Sequence, residues 1–382
     1  MSSHHMPADA TGARAPGKLI LSGEHSVVYG APALAVAVER FTEIWFTPLD
    51  QTGGLRTAFE SLSPSAFYPF DVLKGFAEGL DRRFDEFMRG ELPVQKILQR
   101  PDDLAIYTLT SLLPVLPVPG GSKRLPLPLP VPGQLSSRSD MPLGAGMGSS
   151  AAVVAATVVL YEHLLGRPQS VAERFAKVRF CERLQHGKGS AIDASAVVYG
   201  GLNRVEGDAV QSLDLPLEHS LSQGQGWYWV LQGTPVSKTG ECVARVREAH
   251  GQDKALWAEF EAVTRALESV LAKDGDPTEL LRSNHRLLMR IGVVPQPAQR
   301  FAAAVEALGG AAKISGAGAV RGEAAGVTLV YLPEADAMAR LMEDYPDRRW
   351  EGLRVSRRGA HLCDDPAAAL PAQAGRGAAD AP

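Results

Sequence analysis

Cysteine is scarce in this chain. There are three, Cys181, Cys242 and Cys363, and no two form a CxxC pair. An odd number at wide spacing excludes a disulfide framework and a zinc ribbon, and it fits a reducing cytoplasm. The nine histidines make no HExxH pattern, so the zinc-protease helix is absent as well. Long hydrophobic runs are also missing. The most apolar stretch, Ala151 to Leu160, reaches Leu165 only across Glu162 and His163. It is too short to span a bilayer, and a buried helix is expected in its place. The opening MSSHHMPADATGARAPGK lacks the apolar core of a secretory signal. Nor does charge of one sign dominate. With 39 basic and 43 acidic side chains the net charge is −4. Such a balance gives no broad attraction to nucleic acid, so a small molecule is the expected partner.

What is present suffices for a sizeable core. Hydrophobic residues make up 45% of 382, a length for one large domain or two of medium size. Residues 1–12 and the low-complexity tail 366–382 are expected to be disordered. KLIL (18–21) and ALAVAV (33–38) read as two strands of a hairpin joined by SGEHSVVYG. Seven prolines crowd between Leu112 and Asp140. Residues 125–131, which alternate Leu or Val with Pro, can therefore be only an edge strand or an extended connection. Periodicity predicts helices over 149–165, 170–186, 254–273, 277–291, 297–308 and 334–344, and strands over 227–233 and 326–332. The texture changes near 205–225, which divides the chain into domains of 13–210 and 211–365.

Four segments carry chemistry. In Pro142-Leu-Gly-Ala-Gly-Met-Gly-Ser-Ser-Ala-Ala152, three alternating glycines precede two serines and a helix. Glycine lets backbone N–H groups approach a ligand, and a helix N-terminus adds unpaired donors, so the pair makes a phosphate cradle. The segment is neither a Walker A loop, lacking GK[ST], nor the dinucleotide fingerprint, whose third glycine is Ser149 here. It could otherwise be an ordinary turn with a serine cap. In Ala15-Pro-Gly-Lys-Leu-Ile-Leu-Ser-Gly-Glu-His25, Lys18 opens an apolar strand. There it either holds a phosphate or lowers the pKa of an alcohol, or snorkels at an edge. Glu24 and His25 sit in a glycine-flanked loop, where binding groups often lie. On the helix before residue 186, Val171, Phe175, Val178 and Glu182 share one face. A carboxylate there needs a cation, a metal or a hydrogen-bond network, unless it ends the stripe in solvent. Asp193 follows a Gly/Ser turn, as a turn-maker or as a base. Lys313-Ile-Ser-Gly-Ala-Gly318 is a second glycine loop.

Taken together, and in this order, these segments resemble the GHMP kinases over about residues 13–335. APGKLILSGEHSVVYG resembles the first family motif in its mevalonate kinase form, PLGAGMGSSAA the phosphate loop and KISGAGAVRG the third motif. HGKGSAIDASAVVYGG is similar to the family's HG-x-P-S-G-I-D segment, with Lys188-Gly189-Ser190-Ala191 in place of the proline and one glycine. TPVSKTGECV is similar to its threonine segment. The resemblance implies an α+β fold in two parts, an N-terminal mixed-sheet domain and a C-terminal ferredoxin-like α/β sandwich. It implies ATP and magnesium (Mg2+) as cofactors. Mevalonate is the implied alcohol acceptor, as in isoprenoid precursor synthesis, and no nucleic acid or membrane partner is implied. It also implies roles. Lys18 and Asp193 flank the accepting hydroxyl. Glu182 and a loop serine, Ser150 rather than Ser149, hold magnesium. Ser139 with Gly144, Ala145, Gly146, Met147, Gly148, Ser149 and Ser150 wraps the ATP phosphates. Glu24, His25 and Thr239 line the acceptor site or position the γ-phosphate. Phosphomevalonate remains the alternative acceptor, and a non-catalytic metabolite sensor the alternative class. The reading leaves room for a homodimer.

Overall fold

The computed structural model describes residues 6–7, 9–50, 53–59, 65–113, 115–117, 124–126, 132–142 and 144–363. The expected tail 366–382 and most of the proline-rich alternation lie outside these residues. The first half of the chain folds around two long antiparallel strands, β1 (Thr11–Ser22) and β2 (Ala33–Pro48). The hairpin was expected, but β1 begins seven residues before Lys18. Of the residues expected to fray, Met6 and Ala10 are buried against Trp45. Then follow β3 (Gly54–Phe59), β4 (Ala66–Pro69), α1 (Phe70–Met88), α2 (Asp103–Leu112), the small ribbon β5 (Val115–Pro117) and β6 (Arg124–Pro126), and β7 (Gly133–Ser139). The strand that leads into the phosphate loop is thus β7, downstream of the prolines. Neither α1 nor α2 is among the elements expected above, although Leu73, Phe76, Leu80, Phe84 and Phe87 mark α1 at steps of three and four.

The chain continues through α3 (Ser149–Leu164), α4 (Val171–His186), α5 (Ala191–Tyr199), β8 (Leu202–Glu206) and β9 (Ala209–Leu213). An eight-stranded sheet runs β14-β1-β2-β7-β3-β4, with β8 added on β2 and β9 on β8. β3 pairs parallel to β7 and the remaining pairs are antiparallel, so the sheet is mixed. The helix α3 is apolar on all sides and buried along its length between this sheet and α2 and α4. The helix α4 begins with a capping box, in which Ser170 Oγ accepts from the Glu173 N–H and Glu173 accepts from the Ser170 N–H at 2.7 Å. It ends at Gly187 in the left-handed region.

The remaining elements are α6 (Ser220–Gln223), β10 (Trp227–Leu231), α7 (Thr239–His250), α8 (Lys254–Leu271), α9 (Thr278–Arg290), α10 (Gln296–Ala307), β11 (Ala311–Ser315), β12 (Val327–Tyr331), α11 (Ala337–Glu343), β13 (Trp350–Gly352) and β14 (His361–Leu362). A second, antiparallel sheet has the order β11-β12-β10-β13. With a helical connection after the first strand and again after the third, this is the expected ferredoxin-like arrangement. The division expected at 210/211 falls inside β9, which stays with the first sheet, and we propose that it lies between β9 and β10. The chain then returns, since β14 pairs with Ala13 and Arg14 of β1. The two sheets meet where β1 ends, against α8, α9 and β11. Among the described residues no helix is long and apolar enough to cross a membrane.

Phe301 of α10 is fully buried with Val230, Val330 and Met338 in the core of the second sheet. Phe301→Ala should lower the unfolding free energy by about 3–5 kcal/mol. Urea denaturation would show it, and a loss near zero would mean that this core collapses around the gap.

Candidate active site

β1 and α5 bring Lys18 and Asp193 together. Lys18 Nζ lies 3.0 Å from Asp193 Oδ1, with Lys18 buried and Asp193 partly exposed. Asp193 is not in a free turn. It is the third residue of α5, whose N-cap Ser190 accepts from the Asp193 N–H at 3.2 Å. Burial alone would raise the Asp193 pKa, but the Lys18 ammonium, the Ser190 hydroxyl and His186 outweigh it and hold the carboxyl below its ordinary value. The site therefore presents an ionised aspartate at neutral pH.

The phosphate loop closes over this pair. Gly144, Gly146 and Gly148 all have left-handed φ, at 68°, 82° and 75°. A Cβ on Gly148 would stand 3.0 Å from Lys18 Cγ, so a side chain there would press on the lysine. The loop alternates. Gly144 and Gly146 face outward, whereas the side chains of Ala145 and Met147 are buried. Phosphate contacts by those two residues can therefore come only from their backbone. The loop is also tied on both sides. The Lys18 N–H donates to the Met147 carbonyl at 2.9 Å, and the Val327 N–H donates to the Ala145 carbonyl at 3.2 Å. Ser139 Oγ, at the end of β7, accepts from Thr42 Oγ1 at 3.0 Å and from the Met141 N–H at 3.3 Å, which holds the turn into the loop.

Ser150 and Ser149 open α3, and it is Ser150 that meets Glu182. Its hydroxyl donates to Glu182 Oε2 at 3.0 Å. Glu182 is buried, not solvated at the end of its stripe, and its other oxygen, Oε1, has no partner. Burial and the nearby Asp193 charge push this carboxyl up to about 8, against the Ser150 hydrogen bond. A cation is what such a group lacks. Among the described residues no cluster of three or more His, Cys, Asp or Glu could hold a metal. One carboxylate and one hydroxyl beside a phosphate loop nevertheless fit magnesium, which keeps several waters and takes the rest of its oxygens from phosphates.

The acceptor-side candidates fare differently. His25 is buried and its Nε2 lies 3.1 Å from the Ala317 carbonyl. Burial drives its pKa down to about 4, so the ring is neutral at physiological pH. A carbonyl can only accept, so Nε2 carries the proton and Nδ1 is left as an acceptor. Glu24 does not open onto the site as expected. Its side chain is fully buried and paired with Lys313. Thr239 stands exposed at the first position of α7 and makes no hydrogen bond to the other candidates among the described residues. The partners not foreseen are Lys313, His186, which lies 3.6 Å from Glu182, and Ser315, whose hydroxyl accepts from the Ile20 N–H at 2.7 Å. A lysine in the apolar pentapeptide AAKIS was the available signal, since it cannot be buried without a partner.

Because the Ser190 hydroxyl caps the helix that carries Asp193, Ser190→Ala should cost about 0.5–2 kcal/mol of stability. Thermal unfolding would measure it, and an unchanged melting temperature would show that another group caps α5.

The chain is also similar in sequence and fold to known proteins. Residues 123–201 match the profile of the GHMP kinases N terminal domain. The mevalonate kinase of Pyrococcus horikoshii is 28% identical over 322 residues, covering 80% of this chain and 85% of that protein. That of Bos taurus is 26% identical over 381 residues, covering 88% and 91%. The crystal structure of Methanococcus jannaschii mevalonate kinase matches with a TM-score of 0.68 at 18% identity, over 93% of this chain and 99% of that one. Lactococcus lactis galactokinase complexed with galactose matches at 0.64 and 12%, over 93% and 95%. Motifs, matched domain and fold point the same way: residues 123–201 carry a GHMP kinases N terminal domain, and the chain as a whole resembles the mevalonate kinases.

Proposed function

We propose that this protein transfers the γ-phosphoryl group of ATP to the primary hydroxyl of mevalonate. The observation that carries the reading is the Lys18–Asp193 pair at 3.0 Å beneath the glycine loop. Phosphoryl transfer asks chiefly for positioning and charge neutralisation. The loop backbone and the N-terminus of α3 supply donors for the phosphates. The ionised Asp193 takes the proton of the attacking hydroxyl. Lys18 holds that carboxylate in place and offers positive charge beside the transferring group. The neutral His25 offers Nδ1 to an acceptor hydroxyl, and Thr239 at the mouth of α7 positions the γ-phosphate. Ser150 and Glu182 would hold magnesium, which when bound neutralises phosphate charge. A metabolite sensor has no need of Lys18, Asp193, Glu182 and Ser150 brought within bonding distance.

The fold does not choose the acceptor, since a galactokinase matches it about as well as a mevalonate kinase does. The sequence relatives favour mevalonate. So does the charge of the site. A phosphorylated acceptor brings about two further negative charges and calls for added Arg or Lys. Lys188 and Lys238 are the candidates for that task, and both are exposed.

An ATP-coupled assay across mevalonate, phosphomevalonate, galactose and homoserine tests the assignment. Mevalonate should give the highest kcat/KM, and a tenfold preference for phosphomevalonate would overturn it. Asp193→Asn should retain ATP binding while kcat falls by about 10²–10⁴. Turnover near that of the wild type would remove Asp193 from the chemistry. Glu182→Gln should raise the magnesium concentration needed for half-maximal rate, because an anionic ligand is lost. An unchanged magnesium titration would leave Glu182 a structural role only.

A further inference from the structure

The proposed transfer makes no use of Lys313, yet the structure has built a complete site for it. Every residue of β11 is buried and Lys313 is wholly inaccessible to water. An ammonium in that position must have its three hydrogens matched. They are directed to the Glu24 carboxylate, to the Ile20 carbonyl at 3.1 Å and to the Ile314 carbonyl at 2.7 Å. The Glu24 side chain is equally buried, and its second oxygen has no partner. Burial lowers the Lys313 pKa, the Glu24 charge opposes that shift, and the Lys18 ammonium adds to it, so the pair lies within electrostatic reach of the transfer site.

The same short segment is held at further points. Gly23 has φ +97°, and a Cβ there would lie 2.5 Å from Ala33 Cα, so the turn has no slack. One residue beyond Glu24, His25 reaches the Ala317 carbonyl, in the loop that follows β11. The Ile20 N–H is taken by Ser315 of β11. The segment from Ile20 to His25 is thus laced to residues 313–317 through main chain at Ile20 and side chains at Glu24 and His25, and Lys313–Glu24 is the charged member of the lacing.

We propose that Lys313 is a positioning residue, which through Glu24 fixes the Gly23–His25 turn and so sets His25 against the acceptor without itself touching substrate. This rests on the acceptor side of the site being where the proposed function puts it. The test uses the full chain as Lys313→Met, Glu24→Gln and the double variant, with steady-state kinetics for both substrates and thermal unfolding. Lys313→Met should raise the acceptor KM by about tenfold or more while the ATP KM stays within about twofold. The double variant should lose no more than the larger single loss, because both act through one contact. Losses that multiply would overturn the inference, since Lys313 would then act on substrate directly. A lowered melting temperature with both KM values unchanged would overturn it too, leaving the pair a structural brace. If Lys313→Met does not fold, the double variant, which leaves no buried charge unpaired, carries the KM comparison. Wild-type inactivity toward mevalonate would overturn the acceptor assignment alone, and the KM comparison is then made with the alcohol that is phosphorylated.

Discussion

A buried lysine cannot stand alone, and the need of Lys18 for Asp193 organises the centre of this protein. Lys18 is carried by β1, one of the two long strands of the first sheet, and Asp193 by the opening turn of a helix packed on that strand. Removing either partner would leave the other with an uncompensated charge, which is more damaging than the pair itself is stabilising. The glycine loop must then pass over the pair without a side chain at residue 148. Strand, helix and loop are thus bound to a single geometric solution, in which the aspartate remains ionised and the lysine remains fixed beside it.

The loop is not the property of one half of the molecule. One of its carbonyls is taken by β1 and another by β12, so its shape depends on both sheets being in place. The third glycine motif contributes to the same end. Its β11 serine and lysine hold the end of β1, and Ala317 holds His25. Preorganised donors of this sort need no rearrangement when a charged ligand arrives, which is the main resource of an enzyme that does little covalent chemistry of its own.

Much of this was legible in the sequence where the information is local. The apolar α3, the capped α4 and the amphipathic α8 follow from spacing and cap residues within a few turns. Glu182 was correctly placed on an apolar face because helical periodicity fixes the direction of a side chain. What was not legible is what depends on topology. Glu24 sits in a loop that reads as open, and only the fold brings it to Lys313, 289 residues later. The strand into the phosphate loop, β7, begins at Gly133 after the last proline of the proline-rich stretch, and no local pattern marked it. Asp193 was read as following a turn, whereas the serine before it starts a helix of nine residues. Thr239 was given its acceptor or γ-phosphate role by the family resemblance, and the structure leaves it exposed at a helix end.

The last strand of the fold has a consequence for how the molecule comes into being. β14 lies beside β1 at the edge of the eight-stranded sheet, Val355 bridges to Val38, and the Ser356 N–H is bound to the Ala37 carbonyl. Among the described residues, a sheet begun by residue 11 is therefore completed only by residue 362. During synthesis, a ribosome-bound chain that has already emerged through β9 would still carry β1 with its outer positions at Ala13 and Arg14 unfilled. It must wait for the whole second sheet to be made before that edge is sealed. The first and last segments thus mature together, and a chain halted anywhere between them is left with a vacant strand position that another copy could occupy.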